Sequence, residues 1–152
     1  MIPPVFKQTD SKDTDFISLV TLLDEDLKIR DGAEHDFYAA FNSIAHIGHA
    51  IVCYNNNKPV ACGAFKKMDE QTVEIKRMFV LPDCRGLGIG HKLLTELEIW
   101  AASLDFKKSV LETGKKQPEA IRLYQKAGYH IIPNYGQYEH IENSVCMEKD
   151  IT

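Results

Sequence analysis

Val73-Glu74-Ile75-Lys76-Arg77-Met78-Phe79-Val80-Leu81-Pro82-Asp83, followed by Arg85-Gly86-Leu87-Gly88-Ile89-Gly90 and an amphipathic run to Leu104, is the stretch on which the reading of this chain turns. Val73 to Leu81 has the β-branched and aromatic content of a strand, ended by Pro82-Asp83. From about Leu87 to Leu104 the spacing predicts a helix, with Leu93, Leu94, Leu97, Trp100, Ala101 and Leu104 on one stripe. Three glycines at every second position (86, 88 and 90) strip the side chains where loop becomes helix. Backbone N–H groups there are left to point at a common ligand, and a helix start suits a phosphate or pyrophosphate. Arg85 adds a charge-assisted donor. The plain alternative is an ordinary glycine-bearing helix start, which explains the glycines but not the arginine.

Two other phosphate-binding patterns fail on spacing. The dinucleotide fingerprint needs G-x-G-x-x-G, and His91 stands where the third glycine should be. The P-loop needs G-x-x-x-x-G-K-[ST], and Gly114-Lys115-Lys116 lacks both the first glycine and the hydroxyl.

R-x-x-G-x-G after a strand ending in Val-x-Pro resembles the GNAT superfamily, the acyl-CoA-dependent N-acetyltransferases. Thr72 to Pro82 is similar to that family's fourth strand and Ser109-Val110-Leu111-Glu112-Thr113 to its fifth. Pro118-Glu119-Ala120-Ile121-Arg122-Leu123-Tyr124-Gln125-Lys126-Ala127-Gly128-Tyr129 is similar to its A-x-x-L-Y-x-x-x-G-F helix. The resemblance is carried by residues 60 to 132. It implies an α/β fold, with a mixed, mostly antiparallel central sheet flanked by helices. It also implies a bulge in the fourth strand that splays it from the fifth. The residues agree independently. Strict alternation puts Ile75, Arg77 and Phe79 on one face of 73–80 and Glu74, Lys76, Met78 and Val80 on the other, so that charges enter both layers. That suggests a site or a bulge, an edge strand with solvated charges being the alternative.

Acyl transfer to an amine needs a held thioester, a deprotonated nucleophile, donors for the oxyanion and a proton for the departing thiolate. An alkylamine of pKa ~10.4 is nucleophilic in only about one molecule in a thousand at neutral pH. A nearby carboxylate that takes the proton contributes ~10²–10⁴-fold. The resemblance puts Glu74, six residues before Val80, where lysine-acetylating members carry their catalytic glutamate. A salt bridge to Lys76 or Arg77 is the plainer role for it. Tyr124 lies on the stripe Ala120, Leu123, Tyr124, Ala127. The resemblance gives its phenol the role of protonating the thiolate, a core tyrosine being the alternative. The resemblance further implies that backbone N–H groups of Met78, Phe79 and Val80 meet the thioester oxygen. It gives the cofactor's phosphates to Arg85, Gly86, Leu87, Gly88, Ile89 and Gly90. Where the family often has an asparagine before this helix, the chain has Gln117, followed by Pro118 at the first helical position.

The acceptor side is less legible. The first helices carry Asp24, Glu25, Asp26, Asp31, Glu34, His35 and Asp36, which either draw a cationic amine or are simply solvated. His35, Asn42 and Tyr138 are the acceptor-side candidates. Tyr138 falls in Asn134-Tyr135-Gly136-Gln137-Tyr138-Glu139, a segment that suits either a polar pocket or a crossover at a dimer seam.

The bulk numbers set the frame. At 152 residues, 44% apolar and 26% charged, with net charge −4, the chain reads as one domain over 1–152. The charge argues against nucleic-acid and anionic-membrane partners. Cys53, Cys62, Cys84 and Cys146 are scattered and the histidines have no ligand spacing, so no metal is expected. With no signal peptide in the opening residues, the cytoplasm is the expected location. The expected activity is transfer of an acetyl group from acetyl-CoA to a primary amine of a small molecule or peptide, by direct attack on the thioester. A homodimer is allowed. The rivals are a non-catalytic acyl-CoA sensor and an interaction module on the same fold.

Overall fold

Asp13 starts the first helix. Its Oδ1 accepts the backbone N–H groups of Asp15 and Phe16 at 2.8 and 3.0 Å, as an N-cap does. The computed structural model describes residues 3–31 and 47–152. In chain order these form β1 (Val5–Thr9), α1 (Thr14–Asp31), β2 (His49–Asn55), β3 (Lys58–Lys67), β4 (Thr72–Val80), α2 (Ile89–Ser103), β5 (Lys108–Gly114), α3 (Pro118–Lys126), β6 (His130–Ile132) and β7 (Ser144–Asp150). β4 and α2 begin and end within about two residues of the strand and helix expected over 73–81 and 87–104. A further helix expected over Glu34 to Ile44, with His35 and Asn42 on it, lies outside the described residues.

The strands make one seven-stranded sheet in the order β1-β2-β3-β4-β5-β7-β6, antiparallel throughout except for β4 and β5. The β2–β3 turn takes Asn56 and Asn57 at φ 53° and 65°, the left-handed pair a tight hairpin needs. One face of the sheet packs on α1 through Phe16, Leu19, Val20 and Leu23, with Ala50, Val52, Cys62 and Ala64 beneath them. The other face packs on α2 and α3, where Leu93, Leu94 and Leu97 are fully buried. Each such leucine contributes about 1.5–3 kcal/mol. This is the mixed, mostly antiparallel, helix-flanked sheet that the resemblance implies.

Two features of β4 shape the site. The strand pairs with β5 over Thr72, Val73 and Glu74. Past Glu74 the two strands part, and a cleft opens between them. The register against β3 also slips: Cys62 faces Phe79 while Ala64 faces Lys76, so β4 carries one extra residue there. Arg77 takes up the bulge at φ 59°, and Cys62 Sγ donates to its carbonyl at 3.4 Å.

The bulge corrects the strict alternation. Val73 and Ile75 pack toward α2 and α3; after the bulge Met78 and Val80 do so, while Phe79 joins the α1 side. Arg77 also turns to α1, where it meets Asp24. The expected grouping of Ile75 with Arg77 and Phe79 therefore does not hold, because one inserted residue reverses the parity of everything after it.

Candidate active site

The loop between β4 and α2 and the start of α3 form the walls of a groove. Gly86 and Gly88 adopt φ 81° and 80°, a conformation glycine takes without strain, and Gly88 is the N-cap of α2. The first N–H groups of that helix have no carbonyl a turn earlier to bond. Gly90 faces α3, where a Cβ would meet Leu123 Cδ2 at 3.4 Å, an ordinary van der Waals contact. Met78, Phe79, Val80, Arg85, Gly86, Gly88, Ile89, Gly90, Gln117 and Tyr124 all line this groove. Leu87 does not; it is 65% exposed and stands outside. Arg85 arrives partly engaged, its Nε donating to the Val80 carbonyl at 2.9 Å and its guanidinium 5.7 Å from the Phe79 ring.

The cleft between β4 and β5 is lined by Lys76, Arg77 and Met78 on one wall and by Leu111, Glu112 and Thr113 on the other. Leu23 and Leu27 of α1 border it, and Tyr138 reaches it from the segment before β7. Tyr124 lines both this cleft and the groove, and so stands where the two meet. Burial, and then the charge of Glu112, push its phenol well above the usual range, so it is fully protonated at neutral pH. Its ring packs edge-on against Tyr129, 5.9 Å between centroids.

Glu74 is 2% exposed. Its Oε1 is 3.4 Å from Lys76 Nζ and its Oε2 accepts the Tyr135 hydroxyl at 2.6 Å. It is not among the residues that line the cleft. The anticipated salt bridge to Lys76 is present. Lys76 also donates to the Tyr138 hydroxyl at 3.1 Å; burial pulls its ammonium below the ordinary range, and Glu74 opposes that shift. The segment 134–139 thus folds back over the buried Glu74–Lys76 pair, with Asn134 Nδ2 donating to the carbonyls of Ile141 and Ser144 to hold the turn.

Glu112 is a residue that sequence reasoning misses. It lines the cleft, and Ser144 Oγ donates to its Oε2 at 2.6 Å. After burial, its charge helps to push the phenols of Tyr124 and Tyr138 up, and it opposes the burial that lowers Lys76. An acid in the middle of a buried strand is itself a signal, because charged side chains are rarely placed there without a partner or a function. His35 and Asn42 lie outside the described residues. Among the described residues there is no cluster of three or more groups able to hold a metal ion.

A family model described as the acetyltransferase (GNAT) family matches residues 16–129. The chain belongs to the GNAT acetyltransferase family. Among its relatives, a protein of Azospirillum brasilense called IAA acetyltransferase is 36% identical over 102 residues, 66% of this chain and 67% of that protein. Two further relatives, each called an uncharacterized N-acetyltransferase, are matched over 47% and 48% of their own lengths. In structure, this acetyltransferase is similar to a Klebsiella pneumoniae protein described as an acyl-CoA N-acyltransferase, with TM-score 0.82, 28% identity and 98% of each chain covered. A GNAT acetyltransferase of Elizabethkingia anophelis, solved with acetyl-CoA bound, shares the fold at TM-score 0.70 and 19% identity over 97% of each chain. No described helix of the GNAT chain is long and apolar enough to cross a membrane.

Proposed function

We propose that this enzyme uses acetyl-CoA as cosubstrate and transfers its acetyl group to the primary amine of a small molecule or peptide, by direct attack on the thioester. The observation that carries this reading is the position of Tyr124, the phenol at the junction of groove and cleft. A pantetheine arm laid along the groove brings its thioester to that junction, and the cleft is then the amine's approach.

Each part of the reaction has its residues. Arg85, the backbone of Gly86 to Gly90 and Gln117 hold the cofactor's phosphates and arm. Because β5 has parted from β4, the backbone of Met78, Phe79 and Val80 on that side is available to the thioester oxygen as charge develops on it. The amine attacks the carbonyl carbon and gives up a proton; the C–S bond breaks and Tyr124 donates its hydroxyl proton to the thiolate. Two carboxylates are candidates for taking up the amine's proton, one directly and one indirectly. Glu112 lines the cleft and is assigned direct contact. Glu74 stands behind Lys76 and Tyr135, so its part is a relay in which Lys76 gives a proton to Glu74 and takes one from Tyr138, which in turn takes the amine's. Tyr138 borders the acceptor; His35 and Asn42 keep their sequence-based candidacy. A cytoplasmic location and one domain over 1–152 belong to the same proposal, which is compatible with a homodimer.

The test is thiol release from acetyl-CoA against a panel of amines. Release that depends on the amine is expected. Binding of acetyl-CoA without turnover by any amine favours the sensor, and no binding at all favours the interaction module. The groove has its own check in Gly88→Val. Nothing lies within 4 Å of where a Cβ would stand, so the damage comes from backbone torsion. A branched residue at φ 80° forces the loop out of its shape. Calorimetry is expected to show acetyl-CoA affinity reduced at least about tenfold, the equivalent of one lost charge-assisted hydrogen bond, while circular dichroism keeps the folded signature. Unchanged affinity in the folded variant removes the loop from the cofactor site.

A further inference from the structure

The bulge puts two adjacent cations, Lys76 and Arg77, on the cleft wall. Arg77 is 5% exposed. Its guanidinium meets Asp24 of α1 through Nη2, while its Nε is buried with no hydrogen-bond partner among the described residues. A guanidinium has five donors and does not shed its charge, so a buried one with a donor unmet is unfavourable. The same residue carries left-handed backbone at φ 59°. Two unfavourable features on one cleft-lining side chain are the pattern of a residue kept for a ligand. What satisfies an arginine best is a planar anion.

The rest of the cleft says where such a group belongs. Glu74 pairs with Lys76, and Asp24 with Arg77. On the facing strand Glu112 presents a carboxylate beside Tyr124. The Glu112 wall therefore suits an amine, and on the other wall the unmet Nε donor of Arg77 suits an anion. The cavity, about 110 Å³, has space for more than a single water but lies below the range of drug-sized pockets. We propose that the acceptor is a compact primary amine bearing its own carboxylate, an amino-acid-like molecule, with the carboxylate at Arg77 and the amine turned to Glu112 and Tyr124. This rests on the reading of the β4–β5 cleft as the acceptor site of an acetyl transfer. A polyamine or the lysine side chain of a protein offers Arg77 no anion.

The experiment compares acetylation of matched pairs, each a small L-amino acid and its primary amide, by the full chain with acetyl-CoA. The amide's amine is less basic and so more of it is free near neutral pH, which works against the expected result. The acids are nevertheless expected to be preferred in kcat/KM by about 10- to 100-fold, the worth of a hydrogen bond to a charged group. In Arg77→Met that ratio is expected to fall toward one. A wild-type ratio at or below one overturns the proposal, and needs no variant to fold. A high ratio that persists in a folded Arg77→Met overturns the assignment to Arg77. If acetyl-CoA binds but neither acids, amides nor other amines are acetylated, it is the acetyl-transfer reading that fails, which is a separate outcome.

Discussion

Glu112→Gln is expected to lower kcat near neutral pH by about 10²–10⁴-fold, the usual contribution of a positioned proton acceptor. The substitution keeps the side chain's shape and leaves an oxygen for Ser144 Oγ, which now donates to Oε2 at 2.6 Å. Acetyl-CoA binding is therefore expected to hold. The sign of the pH effect follows from the amine. With a carboxylate to take the proton, the ammonium form is productive well below its own pKa; without one, only the free base reacts. The rising limb of the pH–rate profile should accordingly move up toward the free amine's value, ~10.4 for an alkylamine. Glu74→Gln is the control that ranks the two acids. A relayed role predicts a smaller rate loss and a limb that moves less, together with a change at Lys76, whose ammonium Glu74 helps to keep charged. If Glu74→Gln shows the full shift and Glu112→Gln none, the direct contact belongs to Glu74.

Tyr124→Phe carries the other large effect. The variant removes one oxygen and keeps the ring that packs on Tyr129 at 5.9 Å between centroids, so the fold is expected to survive. Turnover is expected to fall by about 10²-fold or more, as for loss of one aimed transition-state donor, with KM for acetyl-CoA little changed. The diagnostic is the leaving group. A donor whose thiol is more acidic needs less protonation as the C–S bond breaks. The wild-type to Tyr124→Phe ratio should therefore shrink with such a thioester. A ratio that stays constant across leaving groups assigns Tyr124 to packing and removes it from proton transfer.

Much of this arrangement is legible in the chain. Arg85 to Gly90 between a strand and a leucine stripe, and Leu123-Tyr124 on an amphipathic helix, set out both walls of the groove because loop, strand and helix there obey local rules. The faces of β4 do not obey a local rule. Arg77 enters the left-handed region through its register with Cys62 and its partner on α1, both distant in sequence. Strict alternation has no means of showing an inserted residue, so it mis-sorts Arg77 and Phe79. Glu112 escapes notice for a related reason. Within Ser109-Val110-Leu111-Glu112-Thr113 polar and apolar residues do not alternate, and which face borders a cleft depends on where β4 and β5 stop pairing. The acceptor side is the least legible because its groups come from α1, β4, β5 and the turn at 136–138, which only the tertiary fold brings together.

The parting of β4 from β5 has a mechanical consequence. The parallel ladder joining the β1–β4 half of the sheet to the β5–β7 half runs over Thr72 to Glu74 alone. Beyond that seam the halves are joined by what packs across them, such as the Lys149–Glu98 tie at 2.8 Å between β7 and α2. A molecule seated along the open edge of β4 and against α3 acts as a clasp on this zip. Its binding energy adds to cooperativity between the halves, growing with the logarithm of ligand concentration above its dissociation constant. Amide hydrogens of β5 and β7 should exchange more slowly once the groove is filled, although the ligand touches few of them directly. The acyl donor of the proposed reaction is thus expected to act as a structural fastener as well as a reactant.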